Sequence, residues 1–313
     1  MDVVLLFPGQ GSQKPGMGKD LSEAYSAARE VFEQADAVLQ YPLTRLCFEG
    51  PEAPLTATEN AQPALLAHSA AAWAVLREHL QPRVRAAAGH SLGEFTGYHA
   101  ADALTLDHAL RLVRRRGELM RDSGKRRPGA MAAILGLEPL MVEEVCARAS
   151  REAGLVVPAN YNSREQLVIS GEVAGVEHAM ALAKEVGAKR AIRLNVSGAF
   201  HSPLMAVATA GLRAAVDEAT IESPAFPVYS NVSGRPATSL DDLRTLLLDQ
   251  LVSPVKWIDV VTNIAADHPG ALFVEVGPGS VLTGLVRRIV PDAQTATAGT
   301  AEEVEQLLEL VTQ

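Results

Sequence analysis

The short apolar run from Val84 to Ala88 leads directly into Gly89-His90-Ser91-Leu92-Gly93-Glu94. That junction constrains the fold more than any other segment. A buried strand followed by G-x-S-x-G reads as a strand, a tight turn and a helix, with the serine at the turn and glycines where a Cβ would not fit. The turn lifts the Ser91 hydroxyl out of the sheet. The helix after it aims its first N–H groups at a developing oxyanion. The motif alone is moderately specific, because Gly- and Ser-rich loops also produce it.

Val3 to Phe7 is a second continuous apolar run, ending in Pro8-Gly9. It has the pattern of a strand buried on both faces. Helical periodicity covers Ala24–Leu39, Ala64–Leu80, a segment from Leu92, and Leu106–Met120 with Thr105 as N-cap. Alternating apolar strands and helices predict a mainly parallel sheet covered on both sides. From Gly129 the rhythm changes. Strand patterns at Ala130–Leu135, Leu155–Ala159, Gln166–Ser170 and Lys189–Leu194 alternate with helical ones at Leu140–Ala149 and Val173–Val186. This β-α-β-β-α-β order is the ferredoxin-like unit. Residues 129–197 are therefore expected as an inserted subdomain, and 1–128 with 198–313 as one discontinuous domain. Beyond the insert, Pro203–Ala219 and Leu240–Gln250 read as helices, Val228-Tyr229-Ser230 and Leu272–Val276 as strands.

The balance of 28 Lys and Arg against 37 Asp and Glu, net −9, argues against a nucleic-acid footprint or a polybasic membrane anchor. The apolar start is too short for a signal peptide, and no run approaches the roughly 18 apolar residues of a membrane helix. The expectation is a cytoplasmic protein with no membrane contact. Cys47 and Cys146 make neither a disulfide framework nor a zinc site, so no metal is expected. Both read as small core residues.

A serine hydroxyl needs a base within hydrogen-bond reach. His68, His79, His108 and His178 lie in helical patterns and read as surface or partly packed residues. His90 adjoins the serine but is expected to point away at the turn. His99 lies on the helix after the turn, and His268 in a loop. His201 is the leading candidate: it sits in Ser197-Gly198-Ala199-Phe200-His201-Ser202-Pro203, a loop returning from the insert, and such loops rim clefts. Phe7-Pro8-Gly9-Gln10-Gly11-Ser12-Gln13 opens on the same sheet edge as the elbow. Its backbone at Gln10 can pair with the N–H of Leu92 to bind an oxyanion. A phosphate loop fails here, since Gly18-Lys19 is followed by Asp20 and Gln13 stands at the first glycine position. Acids between Ser91 and His201, such as Glu143, Glu144 and Glu172, look solvated. A Ser-His dyad held by a backbone carbonyl or an amide is more natural than a triad. The Arg114-Arg115-Arg116-Gly117 run reads as the end of a helix, solvated by default, with one arginine free to turn inward and hold a carboxylate.

Seven segments carry a resemblance: Phe7–Gln13, Gln62-Pro63-Ala64, Gly89–Glu94, Arg116-Gly117-x-x-Met120, Asn160-x-Asn162-Ser163, Phe200-His201-Ser202-Pro203 and Glu275-Val276-Gly277-Pro278-Gly279. In this order and over nearly the whole chain they resemble the malonyl-CoA:acyl-carrier-protein transacylase family. The resemblance implies an α/β-hydrolase-like core with an inserted ferredoxin-like subdomain, and a ping-pong acyl transfer. In that transfer Ser91, activated by His201, accepts a malonyl group from malonyl-CoA and passes it to the phosphopantetheine thiol of acyl carrier protein. Gln10 and Leu92 would form the oxyanion hole, and Arg116 would pair with the malonyl carboxylate. The backbone carbonyl of Gln250, in Gln250-Leu251-x-x-Pro254-Val255, would orient the histidine. Gln62, Asn160 and Asn162 would line the pocket. Phe200 would narrow it, as an aromatic does in polyketide acyltransferases that use malonyl. No cofactor is implied and a monomer is expected. The alternatives are a free-standing acyltransferase of a polyketide synthase, a serine hydrolase or thioesterase, and an idle scaffold. Lys125-Arg126-Arg127 is left for an acidic carrier or coenzyme A phosphates.

Overall fold

The computed structural model describes residues 1–196 and 198–312, the last by its backbone. Ser197, the first residue of the His201 loop and the expected end of the insert, and Gln313 lie outside the described residues. The chain begins with β1 (Val3–Phe7), then α1 (Lys19–Ala24), α2 (Ser26–Leu39), α3 (Leu43–Glu49), α4 (Glu52–Thr56) and α5 (Thr58–Leu80). The elbow strand β2 (Val84–Gly89) follows, with α6 (Leu92–Ala100) and α7 (Leu106–Arg126) after it. Next come β3 (Gly129–Leu135), α8 (Pro139–Glu152), β4 (Val156–Ser163), β5 (Gln166–Glu172), α9 (Val173–Glu185) and β6 (Arg190–Arg193). The remainder is α10 (Ala206–Glu218), β7 (Val228–Tyr229), α11 (Leu240–Asp249), α12 (Trp257–Asp267), β8 (Leu272–Glu275), α13 (Val281–Ile289), β9 (Thr295–Thr297) and α14 (Ala301–Thr312).

Strands β7-β2-β1-β8-β9 form one sheet in that order, with every neighbouring pair parallel. β1 is buried along its whole length, and its period-two alternation divides it between two cores. Val3, Leu5 and Phe7 face one core, closed by α2, α5, α6 and α7; Val4 and Leu6 face the other, closed by α12 and α13. This is why the strand reads as unbroken apolar sequence rather than as alternation. The second sheet, β4-β5-β3-β6, is antiparallel and packs α8 and α9 on its own core. Its chain order is the β-α-β-β-α-β series read from the sequence, so the expected fold class stands. The edge strand β4 is clipped to the main body by backbone bonds, Tyr161 N to Val255 O (2.9 Å) and Val255 N to Ala159 O (2.8 Å). Among the described residues no helix is long and apolar enough to cross a membrane.

Three expectations need correcting. The arginine run does not end a helix: α7 continues to Arg126. Gly117 is there for close packing, because a Cβ on it would lie 2.7 Å from Glu59 Cα on α5. His68 is not a surface residue but is 1% exposed, since α5 is covered nearly all round, and its Nε2 pairs with Gly299 O at 2.8 Å. Helix α5 also starts earlier than expected, with Pro63 inside it. Proline has no N–H for the carbonyl four residues back, Glu59 O, and Arg114 Nη1 supplies a donor to it at 3.0 Å.

Candidate active site

The elbow is a crowded junction. An added Cβ at Gly89 would sit 1.8 Å from the Gly93 carbonyl carbon, and one at Gly93 would sit 2.1 Å from Phe7 O. Only glycine fits at either position. Ser91 itself takes φ 54°, ψ −109°, and His201 takes φ 55°. Left-handed backbone costs a non-glycine residue of order 1–3 kcal/mol, which the surrounding bonds must offset. Asn231, just past the end of β7, supplies two of them. Its Oδ1 accepts from Ser91 N (2.7 Å) and its Nδ2 donates to Gly89 O (2.7 Å). Because β1, β2 and β7 run parallel, their carboxyl ends place Gln10, Ser91 and Asn231 along one edge.

The Ser91 hydroxyl pairs with His201 Nε2 at 2.7 Å. On the other side of the ring, Nδ1 donates to Gln250 O (2.9 Å) and Ser253 O (3.2 Å). Carbonyls only accept, so they hold the proton on Nδ1 and leave the Nε2 lone pair toward the serine. Burial pushes His201 down to about 3, with the Arg116 charge adding to the effect. The imidazole is therefore neutral at physiological pH, the form a general base requires.

Arg116 turns inward from α7 and is 1% exposed. Its Nη1 donates to Gln62 Oε1 (2.9 Å). Nη2 donates to Gln250 Oε1 (2.9 Å) and to Ser91 Oγ (3.1 Å). All three acceptors are neutral. Nε is buried and has no hydrogen-bond partner among the described residues. The guanidinium also lies 5.5 Å from the Phe95 ring centroid. Burial lowers it to about 10, with Glu94 pulling the other way, and it stays a cation. A buried cation touching only neutral groups can receive an anion.

Gln10, Gln62, Ser91, Leu92, Arg116, Asn160, Phe200 and His201 line one cavity of about 110 Å³. That is room for a small acyl group beside Ser91. Met120, Met131, Leu194 and Val196 complete the wall. One sequence expectation differs here. His90 is among the residues lining the cavity, and its ring donates from Nε2 to Asn162 Oδ1 (2.8 Å). Asn162 thus meets the cavity through His90 rather than lining it beside Asn160. His90 and Trp257 pack with ring centroids 5.5 Å apart, which fixes the ring. Among the described residues no group of three or more His, Cys, Asp and Glu could hold a metal ion. Burial pushes the Cys47 and Cys146 thiols up to about 12, away from reactive thiolate.

The sequence reading missed Asn231 and Glu94. Glu94 lies in the first turn of α6, beneath the elbow, and is fully buried. Its Oε2 accepts from Gln250 Nε2 (2.7 Å) and Asn231 N (3.0 Å). Burial raises it to about 7, against those hydrogen bonds and the charge of Arg116. A carboxylate among Leu92, Gly93 and Phe95 was the available signal, because a charge is not placed in an apolar turn without partners.

The acyl transferase domain family model matches residues 4–308. The malonyl CoA-acyl carrier protein transacylase of Bacillus subtilis (strain 168) is 43% identical over 304 residues, covering 97% of this chain and 95% of the relative. An acyl-carrier-protein S-malonyltransferase crystal structure from Bartonella henselae superposes with a TM-score of 0.95 at 41% identity, covering 100% of both chains. A malonyl-transacylase in complex with the acyl-carrier protein of a type II PKS superposes with a TM-score of 0.94 at 38% identity, covering 99% of this chain and 100% of that one.

Proposed function

Because the chain belongs to the malonyl-CoA:acyl-carrier-protein transacylase family of acyl transferases, we propose that Ser91 carries the malonyl group as an ester between malonyl-CoA and acyl carrier protein. The enzyme transfers malonyl to the carrier for fatty-acid synthesis. The residue roles follow from the contacts around one atom. Ser91 Oγ attacks the thioester carbonyl while its proton passes to His201 Nε2. The oxyanion lies against the N–H groups of Gln10 and Leu92. Collapse breaks the C–S bond, and coenzyme A leaves as a thiol with the proton from His201. In the second half the phosphopantetheine thiol gives its proton to His201 and attacks the ester, and Ser91 recovers that proton as it leaves. Arg116 holds the malonyl carboxylate throughout, with Gln62 and Gln250 fixing the guanidinium. Asn160 and Phe200 bound the acyl chain, and Asn162 sets the His90 face of the pocket.

The observation that carries this reading is the meeting of His201 Nε2 and Arg116 Nη2 on the Ser91 hydroxyl, at 2.7 and 3.1 Å. A hydrolase elbow needs the first contact and has no use for the second. Acetyl lacks the carboxylate, so it leaves the buried cation unpaired and is disfavoured. The test is incubation with malonyl-, methylmalonyl- and acetyl-CoA, with and without acyl carrier protein, following adduct and free acid by intact-protein mass spectrometry. A malonyl adduct that moves to the carrier is expected; release mainly as free malonate would make the protein a thioesterase.

We also propose a monomer acting in the cytoplasm without a cofactor, with 129–197 as a subdomain inserted into a catalytic domain of 1–128 and 198–313. The neighbour bound to a type II PKS carrier favours a second reading of the client alone, a free-standing polyketide malonyl acyltransferase. Relative rates on fatty-acid and polyketide carriers distinguish the two.

A further inference from the structure

Gln250 joins the site through two different parts. Its backbone carbonyl accepts from His201 Nδ1. Its buried side-chain amide stands between a cation and a carboxyl, with Oε1 accepting from Arg116 Nη2 (2.9 Å) and Nε2 donating to Glu94 Oε2 (2.7 Å) and Ser91 O (3.0 Å). A guanidinium only donates, so the amide must offer it oxygen. The other end must then meet acceptors. Glu94 Oε2 is committed to that role, because it also takes the backbone N–H of Asn231 (3.0 Å), which can only donate. It stays an acceptor toward Gln250 even when the carboxyl is protonated on its other oxygen. Asn231 in turn holds Ser91 N. Glu94 is therefore the common anchor of the Gln250 amide that faces Arg116 and of the Asn231 backbone, whose side chain seats Ser91.

Resting on the malonyl-transfer reading, we propose that Glu94 is a positioning residue that gives the site its selectivity for acyl groups ending in a carboxylate, by fixing the Gln250 amide that aims Arg116. It touches neither acyl group nor thioester. Its charge is also the one that offsets Arg116 in the buried site, held off by a single amide. That spacing keeps the guanidinium N–H groups from being taken up by a direct ion pair, so they remain available to the substrate.

The readout is the ratio of serine acylation by malonyl-CoA to that by acetyl-CoA, which a purely structural role would leave unchanged. Glu94→Ala should lower the ratio by about tenfold or more, the worth of one hydrogen bond to a charged group. Glu94→Gln keeps an acceptor oxygen and should restore most of it. In an Arg116→Ala background, Glu94→Ala should no longer move the ratio, because the two act through one contact. Equal losses on both substrates, or failure of Glu94→Gln to rescue, overturn the proposal. Should Glu94→Ala not fold, Gln250→Leu removes the same amide while keeping the backbone carbonyl that faces His201. An unchanged ratio in that variant equally overturns it. Malonyl transfer by the unaltered protein, run alongside, tests the underlying reading separately.

Discussion

Arg116 donates from Nη2 to the hydroxyl of Ser91 across 3.1 Å, so the buried cation and the elbow serine are in direct contact. A carboxylate drawing the guanidinium to itself frees a lone pair of the hydroxyl. In the proposed transfer, carboxylate binding and serine attack are thereby tied to one geometry, in which reacting groups are pre-placed rather than gathered by diffusion.

Removing the guanidinium should therefore change which substrate is preferred, not just the rate. Arg116→Ala is expected to lose malonyl transfer by about a hundredfold or more, from two charged hydrogen bonds, while activity on acetyl-CoA rises. Steady-state kcat/KM on both thioesters checks this, and an equal loss on both would falsify the carboxylate role.

Ser91→Ala should abolish the covalent intermediate while leaving the fold intact, since the bonds that seat the elbow go to its backbone: Asn231 Oδ1 takes Ser91 N and Gln250 Nε2 reaches Ser91 O. Intact mass after incubation with malonyl-CoA is the measurement. A malonyl adduct persisting on this variant would place the nucleophile elsewhere.

His201→Ala should slow serine acylation by roughly 10²–10⁴, the usual contribution of a positioned general base. The rate of adduct formation in a single turnover reports this directly. A loss of less than tenfold would mean that His201 is not the base.

Gly89→Ala should destabilise the protein by about 3 kcal/mol or more, at the upper end of overpacking effects, because the added carbon meets the Gly93 carbonyl carbon at 1.8 Å. Urea unfolding gives the number. A variant with unchanged midpoint would show that the turn yields more easily than its contacts imply.

His68 gives a pH dependence with a definite sign. Burial pushes its folded value down to about 4, against 6.5 when exposed. Above 6.5 both states are neutral and the contribution is complete. As pH falls from 6.5 to 4 the unfolded chain binds the proton first, and up to roughly 3 kcal/mol of stability is lost. Glu94, raised to about 7, works oppositely: its contribution is present at low pH and lost as pH rises through 7. His68→Gln isolates the first effect, and its stability should fall less than the parent's between pH 7 and pH 5. Parallel declines would remove His68 as the cause.

The sequence by itself determined the local pieces of this protein. Five apolar residues ending in Pro-Gly read as a strand buried on both faces, and G-x-S-x-G after a buried strand reads as a sharp turn. The β-α-β-β-α-β rhythm after residue 129 is equally a matter of short-range periodicity. Each is legible because its cause acts within a few residues. Tertiary structure decided which side chains share the site. Ser91 and Asn231 are 140 positions apart, and Arg116 and Gln250 are 134 apart; no local pattern links them. It also turned Arg116 inward from the middle of its helix, bound the His90 ring to Asn162, and made a carboxyl in the elbow helix the anchor of the Gln250 amide and the Asn231 backbone. Those outcomes depend on parallel strands bringing distant loops to one edge. They depend equally on burial, which leaves a polar group stable only where a partner from elsewhere in the chain meets it.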